Sequence, residues 1–82
     1  MNKKILYFGS GWCGPCKMMG PIMESLNSQI NYQKIDVDNQ SDLANQYNIR
    51  NIPTLVLLEN GMEKNRVSGL QNKEQILNFY NG

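Results

Sequence analysis

Apolar residues along the chain fall into short blocks separated by turn-formers, and their spacing changes from block to block. Lys4–Phe8 ("KILYF") is a compact apolar run rich in β-formers, the pattern of a strand buried on both faces. Met19, Ile22, Met23 and Leu26 then recur at helical spacing. They predict a helix that starts within the Cys13–Cys16 segment and runs to about Gln29. Pro15 suits its first turn, while Pro21 should bend it, because proline lacks the N–H and crowds the preceding turn. Tyr32–Val37 ("YQKIDV") reads as a second strand. Ser41 is placed to cap a short helix through Tyr47, with Asp42 favoured in its first turn. Thr54–Leu58 ("TLVLL") reads as a buried strand, and Asn60-Gly61 is the strongest hairpin signal in the chain. The chain should return as Glu63–Ser68, an antiparallel edge whose charged and polar residues discourage further pairing. Asn72 caps a last helix, Lys73–Tyr80, packed through Ile76, Leu77, Phe79 and Tyr80.

The resulting order, β-α-β-α-β-β-α, is an α/β fold with two parallel strands followed by a hairpin. No linker, repeat or low-complexity tract interrupts it, so residues 1–82 read as one domain. A hydrophobic fraction of 40% supports a compact core. A net charge of +1 with scattered lysines gives no footprint for nucleic acid or an acidic membrane. The 12 asparagines read as compositional bias. The apolar run after Lys3 and Lys4 is too short for a signal peptide or a membrane helix, which points to the cytoplasm. The absence of histidine removes imidazole bases, imidazole metal ligands and haem attachment.

The candidate chemistry lies in Gly9–Lys17, "GSGWCGPCK", where glycines at dinucleotide-fingerprint spacing overlap a C-x-x-C pair. A dinucleotide fold needs repeated βαβ units, whereas this chain has one and then a hairpin. Asp36 and Asp38 stand about where that fingerprint places its acid, which reads as coincidence. Gly9 and Gly11 would instead let the backbone turn off the strand, and Gly14 would leave the cysteines uncovered. A helix start has unpaired N–H groups and a positive dipole end, so Cys13 there would favour its thiolate. Cys16, one turn on, would be shielded yet close enough to form a small disulfide ring. One exposed, activated sulfur beside one shielded sulfur is the asymmetry that thiol–disulfide exchange requires. A closed zinc site needs four ligands, so a metal half-site shared by two chains is the weaker reading.

"WCGPCK", the later Pro21, "NIPT" at Asn51–Thr54 and Gly69 together resemble the thioredoxin family, in spacing and order over essentially the whole chain. The resemblance implies a thioredoxin-like fold with a four-stranded mixed sheet flanked by three helices. It further implies a cis Ile52–Pro53 bond facing the cysteines and pairing of the Ile52 backbone with an extended substrate. The implied activity is reduction of disulfides in partner proteins. Cys13 attacks, a mixed disulfide forms, and Cys16 resolves it, with no cofactor beyond the Cys13–Cys16 disulfide. Trp12, Gly14, Pro15, Ile52, Pro53 and Gly69 are the implied substrate-binding residues, and Ile49 and Leu70 would extend the apolar rim. A flavin-dependent thioredoxin reductase is the implied electron donor, and a monomer the implied state.

The chain departs from the family in three places. It starts at the central strand, without the family's N-terminal strand and helix. The family's buried acid behind the second cysteine falls on Tyr7, and the aromatic two residues later falls on Gly9. Lys34 matches the family's buried lysine, although it reads equally as a solvated strand residue. Tyr7 and Lys34 are therefore the candidate proton relay, with Tyr7 a packed aromatic rather than an acid–base group near neutral pH. Gly69 serves either as a turn glycine or for close approach of substrate. Two other functions fit the pattern: a glutathione-dependent glutaredoxin-like enzyme, and a non-catalytic accessory subunit on the same fold.

Overall fold

The computed structural model describes residues 2–82. Its elements are β1 (Lys3–Gly9), α1 (Gly14–Ser25), β2 (Tyr32–Asp36), α2 (Ser41–Gln46), β3 (Thr54–Glu59), β4 (Met62–Ser68) and α3 (Lys73–Asn81). One sheet orders them β2-β1-β3-β4. β1 pairs parallel with β2, as a helical crossover requires, and antiparallel with β3; β3 and β4 form the hairpin. The mixed four-stranded sheet with three helices is thus the expected fold.

β1 lies inside the sheet, and alternation divides its side chains between two cores. Ile5 and Tyr7 pack with Met19, Met23 and Leu26 from the α1 segment and Ile76 of α3. Leu6 and Phe8 face the other way, against Ile35, Val56 and Ala44 of α2. Both sides of β1 are covered, which is why "KILYF" shows no polar alternation. β4 is the exposed edge, and Asn60 and Gly61 turn the hairpin with φ of 55° and 83°. This turn needs positive φ at both residues, which asparagine and glycine tolerate best. Between Leu57 and Leu58 the register shifts against β4, a bulge that increases local twist.

Two helix boundaries differ from the sequence reading. α1 ends at Ser25 rather than near Gln29. Beyond it the Leu26 and Asn27 amides bond to the Met23 and Glu24 carbonyls at 3.0 and 3.2 Å, a tighter winding that ends the α-helix. The tightened turn lets both Leu26 and Ile30 reach the core. α1 continues past Pro21 without ending there. At α2 the N-cap is Gln40, with no side-chain capping bond, and Ser41 lies inside the first turn. The chain leaves β2 through a turn in which the Asp36 carbonyl accepts from Asn39 and Gln40, at 3.1 and 2.8 Å, and this starts the helix one residue early. The cap at Asn72 is as expected and is a full capping box, with the Asn72 and Gln75 side chains each bonding the other's amide at 2.8 and 2.9 Å.

Candidate active site

Cys13 is the N-cap of α1, with extended backbone, so its side chain lies where the helix leaves its first amides unpaired. Its sulfur accepts the Cys16 N–H at 3.2 Å. The two sulfurs are within bonding distance, with their Cα atoms 5.2 Å apart. Across the site the Ile52–Pro53 bond is cis, and the Ile52 carbonyl lies 3.8 Å from the Cys13 sulfur. The structure thus brings Cys13, Cys16, Ile52 and the buried Pro53 together.

Exposure does not separate the cysteines as expected. Cys13 is 6% exposed and Cys16 5%, so the picture of one open and one shielded sulfur needs correction. The difference lies in what each faces. Cys13 has the helix amide and the Ile52 carbonyl beside it. Cys16 borders an open cleft of about 390 Å³ lined also by Tyr7, Gly9, Lys34 and Asp36. The area around Cys13 is nonetheless open, since Gly14 and Pro15 are exposed and Trp12 is 70% exposed. The indole N–H of Trp12 donates to Asp38 at 2.8 Å, which holds the ring on the surface instead of in the core. Ile49 and Ile52 are half-buried and Leu70 is 44% exposed. Gly69 has φ of 91°, and its amide donates to the Pro53 carbonyl at 2.8 Å. Its conformation alone calls for glycine, and it ties the start of the last loop to the cis proline.

Behind Cys16, Tyr7 is the packed aromatic expected, while Lys34 and Gly9 differ from expectation. Tyr7 is 1% exposed and donates its hydroxyl to the Cys16 carbonyl at 3.0 Å. It meets the backbone of Cys16 as a packed core aromatic. Burial, and to a lesser degree the neighbouring Tyr32, pushes the Tyr7 phenol above its ordinary value, so it is neutral near pH 7. Lys34 is exposed, which corrects its match to a buried lysine. It sits on the edge strand β2, and its flexible stem carries the ammonium to water at the cleft. Gly9 is not a turn residue: it ends β1, and a Cβ there would lie 3.3 Å from the Cys16 sulfur. The glycine is what lets Cys16 approach the sheet so closely. Among the described residues no three His, Cys, Asp or Glu side chains group as a metal ion would require. No helix among them is long and apolar enough to cross a membrane.

Comparison with known proteins agrees with this geometry. The Thioredoxin family profile matches residues 1–81. A thioredoxin from Mycoplasma pneumoniae is 42% identical over 79 residues, covering 93% of this chain and 78% of that protein. One from Chlamydia caviae is 38% identical over 80 residues, covering 94% and 78%. Among solved structures, a mutant thioredoxin from Halobacterium salinarum superposes with a TM-score of 0.90 at 38% identity, covering 95% of this chain and 71% of that one.

Proposed function

Because this chain belongs to the thioredoxin family and is a thiol–disulfide oxidoreductase, we propose that it reduces disulfides of partner proteins, with Cys13 attacking and Cys16 resolving. The observation that carries this reading is the Cys16 amide on the Cys13 sulfur at the head of α1. A thiolate at Cys13 gains a charge-assisted hydrogen bond and the helix dipole; one at Cys16, a turn inside, gains neither. Cys13 thiolate attacks one sulfur of the partner's disulfide, and the other leaves as a thiolate. Cys16 then attacks Cys13, the bond to the partner breaks, and the chain keeps a Cys13–Cys16 disulfide. Two electrons pass to the partner.

Trp12, Gly14, Pro15, Ile52, Pro53 and Gly69 form the docking surface in this reading, and the Ile52 backbone beside Cys13 suits an extended substrate segment. Tyr7 holds the Cys16 carbonyl, and the proton leaving Cys16 departs through the cleft past Lys34. A flavin-dependent thioredoxin reductase returns the electrons, and the chain works as a monomeric domain in the cytoplasm, where such cysteines cycle instead of staying paired. The test is reduction of insulin disulfides with either thioredoxin reductase or reduced glutathione as the electron source. Turnover with the flavoenzyme, lost in Cys13→Ser, is the expected result. Turnover with glutathione alone would replace the donor, and undiminished activity of Cys13→Ser would overturn the proposal.

A further inference from the structure

The cleft beside Cys16 holds a carboxylate that the mechanism above does not use. Asp36 ends β2 as the direct parallel partner of Gly9 at the end of β1. Paired residues of neighbouring strands project to the same face, and Gly9 projects at the Cys16 sulfur, 3.3 Å from where its Cβ would be. Asp36 and Cys16 therefore flank one missing side chain, and both line the cleft that it opens. The hydroxyl of Ser10, on the same cleft, is buried without a hydrogen-bond partner in the protein. Buried hydroxyls take a partner, and a cleft of about 390 Å³ has room for several waters to supply one.

We infer that Asp36 accepts the proton of Cys16 through water in this cleft, in place of an acid behind Cys16 at position 7. The inference rests on the disulfide-reductase reading and assigns its second step. In the mixed disulfide, the Cys16 thiol gives its proton through water to the Asp36 carboxylate. The resulting thiolate attacks the Cys13 sulfur and the bond from Cys13 to the partner sulfur breaks. The partner leaves as a thiolate, which takes a proton from solvent, and the protonated Asp36 returns its own to solvent. The other charged and titratable groups on the cleft are Tyr7 of β1, Lys17 and Glu24 of α1, and Tyr32 and Lys34 of β2. Tyr7 is a neutral donor already committed to the Cys16 carbonyl, and Lys17, Glu24 and Lys34 are exposed. Asp36 is half-buried, and one of its oxygens is fixed by the Asp38 amide at 2.8 Å, which orients the carboxylate.

The experiment is stopped-flow reaction of the reduced full chain with an aromatic disulfide that releases a coloured thiolate at each step. The first release reports attack by Cys13 and the second reports resolution by Cys16. In Asp36→Asn the amide oxygen keeps the bond to the Asp38 amide, so the turn is preserved. Its first release should match the wild type, while its second slows by about a hundredfold near pH 6.5, the low end for loss of a general base. The deficit should vanish by about pH 9, where hydroxide ionises the thiol unaided, and Asp36→Glu should restore much of the neutral rate. A second release with the wild-type pH profile in Asp36→Asn would refute the inference. So would a deficit equal at every pH, which marks a displaced Cys16. Absence of any second release from the wild-type chain would instead defeat the reductase reading itself.

Discussion

Substitution of Tyr7 by aspartate tests the core behind Cys16. The ring is 1% exposed and packed among Ile5, Met19, Met23 and Leu55, so removing it forfeits the burial of a large aromatic. Truncations of that size cost about 3–5 kcal/mol. For 82 residues, total stability is roughly 4–12 kcal/mol, so this one change removes a large share of it. The new carboxyl would also be buried, which raises its folded-state value above the unfolded one near 3.9. A group raised on folding is least costly below its unfolded value and most costly once pH has passed its folded value. Tyr7→Asp should therefore lag the wild type more at pH 8 than at pH 5, by about 1.4 kcal/mol for each unit by which its folded value lies above 5. Tyr7→Phe isolates the hydroxyl and should cost only about 1 kcal/mol, the worth of its bond to the Cys16 carbonyl. Urea unfolding followed by far-ultraviolet circular dichroism is the suitable assay, because Trp12 is too exposed to report on the core. A Tyr7→Asp deficit of equal size at both pH values would show that the side chain escapes to water, and the account of this core would be wrong.

In the reduced protein, iodoacetamide at neutral pH should modify Cys13 well before Cys16, because only Cys13 has the helix amide on its sulfur; equal labelling by mass spectrometry would contradict the assignment. Asn72→Ala removes one half of the capping box and should cost about 1 kcal/mol, a fall in Tm of about 4–8 °C, with disulfide reduction unchanged. An unchanged Tm would mean that the cap contributes nothing. The phenol of Tyr7 is raised by burial first and by Tyr32 second, so its contribution is whole below about pH 10 and is lost as pH climbs through the folded value. Urea midpoints of the wild type should accordingly fall between pH 8 and pH 11 more steeply than those of Tyr7→Phe, and parallel slopes would refute it.

What the sequence made legible are features written in neighbouring residues. Asn60-Gly61 specifies its turn through two local conformations, and Asn72 with Gln75 specifies a cap through two side chains three apart. Cys13, Gly14, Pro15 and Cys16 likewise form a helix start by themselves, so the redox pair could be placed before the fold was known. At the end of α1 and at Lys34, where the structure departs from the sequence, a partner distant in sequence decided the outcome. α1 stops at Ser25 because Leu26 and Ile30 must both reach a core built by other elements. Lys34 is exposed because β2, like β4, is an edge of the sheet, a property of strand order and not of "YQKIDV".

Gly9 and Asp36 carry this distinction into function. In the sequence one looked like a turn glycine and the other like an accidental match to a nucleotide fingerprint. In the fold they are strand partners, and helix α1 brings Cys16 down onto the glycine between itself and the carboxylate. Nucleophile and resolving thiol belong to a four-residue motif, so any chain that starts a helix there acquires them. The route by which the second thiol loses its proton depends on which side chains the sheet register sets beside it. A carboxylate can therefore move from one strand to the next without disturbing the cysteines. With tyrosine at position 7 and glycine at position 9, the core behind Cys16 is apolar and packed, while the acid stands at the sheet edge within reach of water. That arrangement keeps a buried charge out of the core, where it would cost several kcal/mol unless paired, about as much as a small domain has to lose.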